Sequence, residues 1–236
     1  MKILKSPNDL EAEDVRALYS AFDSPITALD CGRKCAPHNP SGKPFCCDIC
    51  QAVPAGYKSE WAYAQATTDL WHAWREDECR QDTLPEQAQQ LREQTPRSMV
   101  LLACLGPEHC QRPHRLLSCR QFPFFPYVTS DYRFVGLAYE WEFEEKCWVL
   151  SNLGEVSEQY RREFVRSFDR LFALFQDEFD AYAERSRQMR DHFSGLGRRI
   201  PLLHREGGTY LISPRSERAR RVESDRLPRF GPYLEG

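Results

Sequence analysis

Residues 31–50 read CGRKCAPHNPSGKPFCCDIC, and this stretch organises the fold that we predict for the chain. Five of its twenty residues are cysteines, arranged as C-x3-C, then ten residues, then CC-x2-C. A short loop of this kind lets two thiolates converge on one metal ion while backbone amides point at the sulfurs. The stretch therefore predicts a metal site held by cysteine thiolates.

The region around this stretch, residues 23–56, contains five prolines and three glycines and shows no helical or strand periodicity. A segment this long without regular structure is uncommon in a compact domain unless something else orders it. Because the free energy of metal ligation can act as folding free energy, we expect a bound metal to order the loop.

The chain has ten cysteines, and eight of them fall in two groups, residues 31–50 and 104–119. Structural thiols would instead be scattered through apolar runs. The first residues lack the apolar core of a signal peptide, so we expect a cytosolic protein whose thiols stay reduced. The candidate metal ligands are Cys31, Cys35, Cys46, Cys47, Cys50, Cys104, Cys110, Cys119 and Cys147. Cys79, which stands among charged residues, is expected to be a surface thiol.

The Cys46-Cys47 doublet bears on the number of metals. Adjacent side chains diverge, so we expect two metals, or a cluster of several irons, to offer ligand positions on different sides. Nine cysteines exceed the need of one zinc ion and suffice for two zinc sites or for iron–sulfur ligation. The expected cofactor is iron, in an iron–sulfur cluster or otherwise, or zinc.

Charge and hydropathy limit the other partners. The chain carries 32 basic and 35 acidic side chains, and this near balance gives no overall attraction to nucleic acid or to an anionic membrane. The sequence contains no run of eighteen apolar residues, so we expect no membrane partner. The partner that the sequence indicates is the metal ion itself, and it identifies no protein partner.

The fold class expected is α+β, mainly helical. The helices are predicted to be one capped by Ser6 that ends before Pro25, then 58–75, 85–94 and a single long one over 155–193 with an aromatic face. Strands are predicted over 98–105 and 132–143. A hairpin, 200–204 and 209–213, is expected to turn at Gly207-Gly208.

One domain is predicted over residues 1–213, with the cysteine-cluster region at 28–150 and a helical and hairpin part at 151–213. Residues 214–236 are basic and poor in apolar side chains, so a flexible tail is expected there.

The cysteine pattern resembles a known family. C-x3-C and CC-x2-C, followed by C-x5-C-x8-C-R-x-F-P-F, are similar to the YkgJ-type cysteine-cluster family, described as zinc- or iron-chelating. The resemblance covers roughly residues 28–150, and its most specific part runs from Cys119-Arg120 to Phe124. The resemblance implies that Cys104, Cys110 and Cys147 are ligands. Where the family has Arg-Pro before its Cys-Arg, this chain has Arg115-Leu116.

Three functions remain open at this point. The first is a metal-binding protein with a redox, metal-handling or accessory role. The second is an iron–sulfur-dependent enzyme, such as a protein lysine methylase-like transferase, because flagellin lysine methylases have a broadly similar cysteine cluster. The third is an interaction module with purely structural zinc. The sequence contains no P-loop, Rossmann glycine pattern, GxSxG or HExxH, so it does not decide whether the protein is an enzyme.

Overall fold

The computed structural model describes residues 6–79 and 85–234, except for the side chains of residues 85–87. Contacts gather the chain into two compact units. The first takes the chain up to Asp23 and Cys35–Arg120, and the second takes Ser24–Lys34 and everything from Gln121 onward. Each unit is built from two separate segments of the chain.

The first unit contains a three-stranded antiparallel sheet in the order β1-β3-β2. Its strands are β1 (Ala55–Tyr57), β2 (Trp71–Ala73) and β3 (Met99–Cys104). The strand predicted over 98–105 is confirmed as β3, whose apolar sequence lies at the centre of this sheet. Its first half pairs with β1 and its second half with β2, and Leu102 and Ala103 are fully buried.

The helices of the chain's first 121 residues are α1 (Ala12–Ala21), α2 (Gly32–Cys35), α3 (Lys58–Thr67), α4 (Pro85–Gln94) and α5 (Leu117–Gln121). The bounds predicted for α4 are confirmed. The helix predicted over 58–75 is wrong in its second half, because the backbone becomes extended at Thr68 and then pairs with β3. Ser6 does cap a turn, but that turn is the short 3-10 helix Pro7–Asp9, and α1 starts after it.

The second unit contains a five-stranded antiparallel sheet in the order β4-β5-β6-β7-β8. Its strands are β4 (Phe124–Val128), β5 (Phe134–Tyr139), β6 (Ile200–His204), β7 (Thr209–Ile212) and β8 (Ala219–Val222). The β6–β7 hairpin is confirmed. Strand β8 differs from the flexible tail predicted from residue 214, because it pairs along the whole of β7. Strand pairing uses backbone groups, so the lack of apolar side chains did not prevent it.

The single helix predicted over 155–193 is two helices, α6 (Glu158–Leu174) and α7 (Gln176–Gly195). Phe175 between them is buried and extended, with φ −135° and ψ 99°. The aromatic face then packs the two helices against each other, with ring centroids 4.9 Å apart for Phe172 and Phe179 and 5.3 Å for Phe168 and Tyr182. Among the described residues, no helix is both long and apolar enough to cross a bilayer.

Candidate metal centre

Four of the expected ligands come together in the first unit, each from a different element. Cys47 ends a 3-10 turn, Cys104 ends β3, Cys110 follows a second 3-10 turn, and Cys119 lies on α5. We call these four residues the thiol cluster. Cys104 and Cys119 are partly buried against apolar side chains that include Leu102 and Leu116.

The ionisation of these thiols shows that they are close enough to influence one another. Burial raises the pKa of the Cys119 thiol, and the neighbouring Cys104, Cys47 and Cys110 raise it further. Burial also raises the pKa of Cys104, and Cys47 and Cys110 add to that shift. Cys104 and Cys119 therefore favour the protonated thiol, since a thiolate there would be desolvated and would be repelled by its neighbours.

Arg115 brings positive charge to the thiol cluster. Its Nε donates a hydrogen bond to the Sγ of Cys110 at 3.1 Å. Burial alone would lower the pKa of this guanidinium, but Cys110, Cys47 and Cys119 outweigh burial and raise it. In return, Arg115 favours the thiolate form of Cys119. Sequence reasoning missed this role, although Arg115 lies at the arginine position of the family's motif.

The doublet differs from the expectation that its side chains diverge. The Sγ atoms of Cys46 and Cys47 are 3.8 Å apart. Two thiolates on one tetrahedral zinc ion, with Zn–S bonds of about 2.3 Å, are themselves about 3.8 Å apart. The two sulfurs are therefore compatible with sharing an ion, and the doublet no longer requires two metals. Cys46 is exposed, so it lies at the outer side of the thiol cluster.

Two cysteines form a disulfide instead. Cys50, an expected ligand, is bonded to Cys79. The prediction of a surface thiol at Cys79 is wrong, since this residue is 2% exposed. A sulfur in a disulfide has no thiolate to offer, so the structure removes Cys50 from the ligands available in this state. The expectation of reduced thiols throughout the chain does not hold for this pair.

The remaining expected ligands are Cys31, Cys35 and Cys147. Cys35 belongs to the first unit, where it ends α2 and is 5% exposed. Cys31 and Cys147 belong to the second unit. Cys147 there precedes the 3-10 helix Trp148–Ser151, and its backbone N–H donates to the carbonyl of Phe143 at 2.8 Å.

Hydrogen bonds order the loop that we expected a metal to order. The carboxylate of Asp48 accepts from Asn39 Nδ2 at 3.0 Å, from Ser41 Oγ at 2.7 Å and from the backbone N–H of Cys50 at 3.1 Å. Burial works against the ionised carboxylate, but these donors outweigh it and lower the pKa of Asp48. Together with the disulfide, this network positions Cys47.

Two buried charged residues hold the helix that carries Cys119. The carboxylate of Glu60 accepts from the backbone N–H of Leu117 at 2.8 Å, at the start of α5. Arg120 is 6% exposed and pairs with Asp23 at 2.9 Å. The Arg120 guanidinium also donates to the backbone carbonyls of Tyr19, Phe22, Arg112, Pro113 and Arg115.

A cavity of about 460 Å³ opens beside Cys110. The residues that line it include Asp69, Glu108 and His109. His109, which precedes Cys110 in the chain, thus lies at a wall of this cavity. The cavity gives small molecules a route to one edge of the thiol cluster.

The thiol cluster offers sulfur donors for a metal ion. Within residues 6–79 and 85–234, no group of three or more His, Cys, Asp or Glu side chains is already arranged to hold a metal ion. The chemistry of the thiol cluster nevertheless fits, because soft thiolates suit zinc and iron–sulfur clusters. A metal ion bound there would displace the protons that Cys104 and Cys119 favour.

Comparisons with protein-family models, with curated proteins and with solved structures find no match to this chain. The class that the structure itself defines is an α+β chain of two units, with a thiol cluster beside an arginine in the first. The resemblance to the YkgJ-type family therefore remains a prediction from the cysteine pattern.

Proposed function

We propose that this chain is a metal-binding protein whose centre is formed by the thiolates of the thiol cluster. One observation carries the proposal. Four thiols from four separate elements influence each other's ionisation beside a guanidinium that donates to one of them. Ordinary structural thiols are small apolar side chains, and they have no need of a neighbouring cation.

The chemistry of the centre follows from its ligands. Four thiolates complete a tetrahedral zinc site, and the same number ligates an iron–sulfur cluster. Binding of either metal would displace the protons of Cys104 and Cys119, because burial favours the protonated form of both side chains. Arg115 would then donate a hydrogen bond to a ligand sulfur. That hydrogen bond would draw electron density from the sulfur and so alter the reduction potential of a bound iron centre. With iron, the role proposed is redox, metal handling or an accessory function in the cytosol.

Metal analysis of the full chain tests the proposal. We expect anaerobically purified protein to contain stoichiometric zinc or iron, and an iron–sulfur cluster would add broad visible absorbance. Cys104→Ser and Cys119→Ser should each lower the metal content to less than half. Arg16→Gln, at an exposed position on α1 outside the thiol cluster, is the control and should keep it. Trace metal in the wild type, or full loading of the Cys119 variant, would overturn the proposal.

The same metal analysis tests the roles of the other expected ligands. Serine variants of Cys31, Cys35, Cys46 and Cys147 should leave the centre of the thiol cluster loaded if these residues serve elsewhere. A loss of only part of the metal in one of them would assign that residue to a second site. A colourless, zinc-loaded protein that unfolds with chelator would indicate the interaction module with structural zinc.

The cavity beside Cys110 favours a second candidate, an iron–sulfur-dependent transferase. Its wall includes Asp69, Glu108 and His109, so polar groups converge where a substrate could meet the centre. Adding S-adenosylmethionine to the iron-loaded protein should then change its visible spectrum. Leu105→Trp would fill the cavity and should remove that response, since Leu105 lines the cavity and is 56% exposed. No response in the wild type would exclude this candidate.

A further inference from the structure

The five-stranded sheet of the second unit has two edge strands, β4 and β8, and they differ in what occupies them. All five residues of β4 are buried. Its Val128 donates a backbone N–H to Ser186 Oγ at 2.9 Å and accepts from Arg190 Nη1 at 2.9 Å, so side chains of α7 bond to the backbone there. In β8, by contrast, residues 219–221 are exposed. Strand β8 is therefore the open edge of this sheet.

The pairing of β8 with β7 identifies the backbone groups at the open edge. The backbone N–H of Ser213 donates to the carbonyl of Arg218 at 3.1 Å, and the register is unbroken from there along β8. Bonded pairs alternate with pairs whose N–H and C=O point away from the partner strand, so Arg220 is the next residue bonded to β7. Ala219 and Arg221 therefore direct their N–H and C=O outward. Among the residues that the structure describes, no strand or other backbone group is bonded to them on that side.

Three arginines give this edge its charge. Successive side chains of a strand point to opposite faces, so Arg220 lies on one face of the sheet and Arg221 on the other, while Arg218 immediately precedes the strand. All three are exposed, and none of them pairs with a carboxylate of the described residues. The nearby Glu217 is engaged by Arg190 at 3.0 Å, and Glu223 is the one acidic residue among positions 218–223.

The charge decides which kind of strand can pair with this edge. A second copy of the chain would bring arginines close to arginines, and like charges across a strand pair are destabilising. Charged side chains on an edge commonly prevent such self-association. An extended segment rich in aspartate or glutamate has the opposite charge, and its backbone can complete the unpaired ladder. A nucleic acid has the charge but no peptide backbone to pair with Ala219 and Arg221.

We infer that β8 binds an acidic, extended segment of a partner protein, which adds to the five-stranded sheet as a further strand. The partner's backbone bonds to the outward N–H and C=O groups of Ala219 and Arg221. Its carboxylates pair with Arg220 on one face or with Arg221 on the other. The inference concerns the second unit and goes beyond the proposed metal binding.

Peptide titration of the full chain tests the inference. The probe is a fluorescein-labelled short peptide of alternating glutamate and valine, and its counterpart has lysine in place of every glutamate. We expect saturable binding of the acidic peptide at physiological ionic strength and none of the lysine peptide. In protein labelled with ¹⁵N-alanine, the amide of Ala219 should exchange quickly when free and become protected in the complex, because it then donates to the peptide. Ala219→Ser identifies this signal.

Variants separate the backbone from the charges. Ala219→Pro removes one outward N–H and leaves the bonds to β7 intact, since proline is tolerated where an edge strand faces solvent. It should weaken binding about two- to tenfold, the loss expected for one hydrogen bond. Arg220→Gln/Arg221→Gln should weaken it roughly two- to thirtyfold, as for two cross-strand charge pairs. Arg166→Gln/Arg170→Gln removes the same charge from exposed positions on α6 and should bind as the wild type does.

Several results would overturn the inference. They are no binding of the acidic peptide, an Ala219 amide that stays unprotected in the complex, and equal affinities in the β8 variants and the α6 control. Single-stranded DNA that binds more tightly than the acidic peptide would overturn it in favour of a nucleic-acid surface. A dimer of the free chain that Ala219→Pro abolishes would overturn it in favour of a second copy.

Discussion

Arg115 donates a hydrogen bond from its Nε to the Sγ of Cys110, over 3.1 Å. The guanidinium also acts on Cys47 and Cys119, so it serves the thiol cluster as a whole. A fixed positive charge beside several thiols lowers the free energy of forming their thiolates, and the thiolate is the form that binds a metal. The role of Arg115 can therefore be tested separately from that of the ligands.

We predict that Arg115→Met weakens metal binding without abolishing it. The loss should be about ten- to a hundredfold, as for other residues that hydrogen-bond to metal ligands. Competition with a chromophoric chelator measures this affinity. Arg16→Met, on the exposed surface of α1, is the matched control and should bind as the wild type does. Equal affinities in the Arg115 variant and the control would show that the contact has no part in metal binding.

The disulfide between Cys50 and Cys79 gives a second prediction. It closes a loop across a sequence separation of 29 residues. Removing a crosslink of that span should lower the free energy of unfolding by about 3–4 kcal/mol. In urea titrations, reductant should therefore destabilise the wild type but not Cys50→Ser/Cys79→Ser. If reductant shifts both proteins equally, the pair is not crosslinked in solution.

His204 should make the second unit sensitive to mild acid. Its Nδ1 accepts a hydrogen bond from the backbone N–H of Glu206 at 3.1 Å, which only a neutral ring can do. Partial burial lowers the pKa of His204, whereas the unfolded chain keeps a pKa of about 6.5. Below that pH the unfolded state binds more protons, so stability falls as the pH drops toward the folded-state pKa.

The measurement compares urea unfolding at pH 7.5 and at pH 5.5. Asparagine at position 204 can accept from the same N–H but does not titrate in this range. His204→Asn should therefore lose less stability between the two pH values than the wild type does. If the losses match, His204 is not the group responsible.

At Gly136, strands β5 and β6 approach so closely that there is no room for a side chain. A Cβ at this position would lie 2.2 Å from the backbone oxygen of Leu203, on the neighbouring strand. Gly136→Ala should therefore destabilise the protein by about 2–3 kcal/mol or more, because backbone cannot move as a side chain can. Gly195→Ala, at the end of α7 with nothing within 4 Å of the new methyl, should cause no loss. Chemical denaturation of both variants measures the change in the free energy of unfolding that each substitution causes.

The parts of the fold that are encoded locally could be predicted from the sequence. The β6–β7 hairpin follows from Gly207-Gly208 between two apolar runs, and α4 follows from its length and composition. The break at Phe175 has no glycine or proline to announce it, and the aromatic period continues through it. The break arises because α6 and α7 pack against each other, which is a tertiary effect.

Part of the candidate site could likewise be predicted from the sequence, and part could not. The spacing of the cysteines identified the residues of the thiol cluster, because ligands have recognisable residue types. The spacing did not reveal that Cys50 would pair with Cys79, which stands 29 positions away. The spacing also did not reveal the role of Arg115, since the positions of cysteines do not show which side chain donates to their sulfurs. Sequence identifies which side chains can bind a metal more readily than it identifies what surrounds them.

The hydrogen bonds of Arg120 have a consequence for synthesis of the chain. They reach back 101 residues to the carbonyl of Tyr19 and 98 residues to that of Phe22. At about 5–20 residues per second, a ribosome needs roughly 5–20 s to add that length. During this interval α1 has emerged without its partner, and its apolar residues Val15 and Leu18 have no core to enter. The nascent N-terminal segment should therefore be a substrate for chaperones until Arg120 has been added.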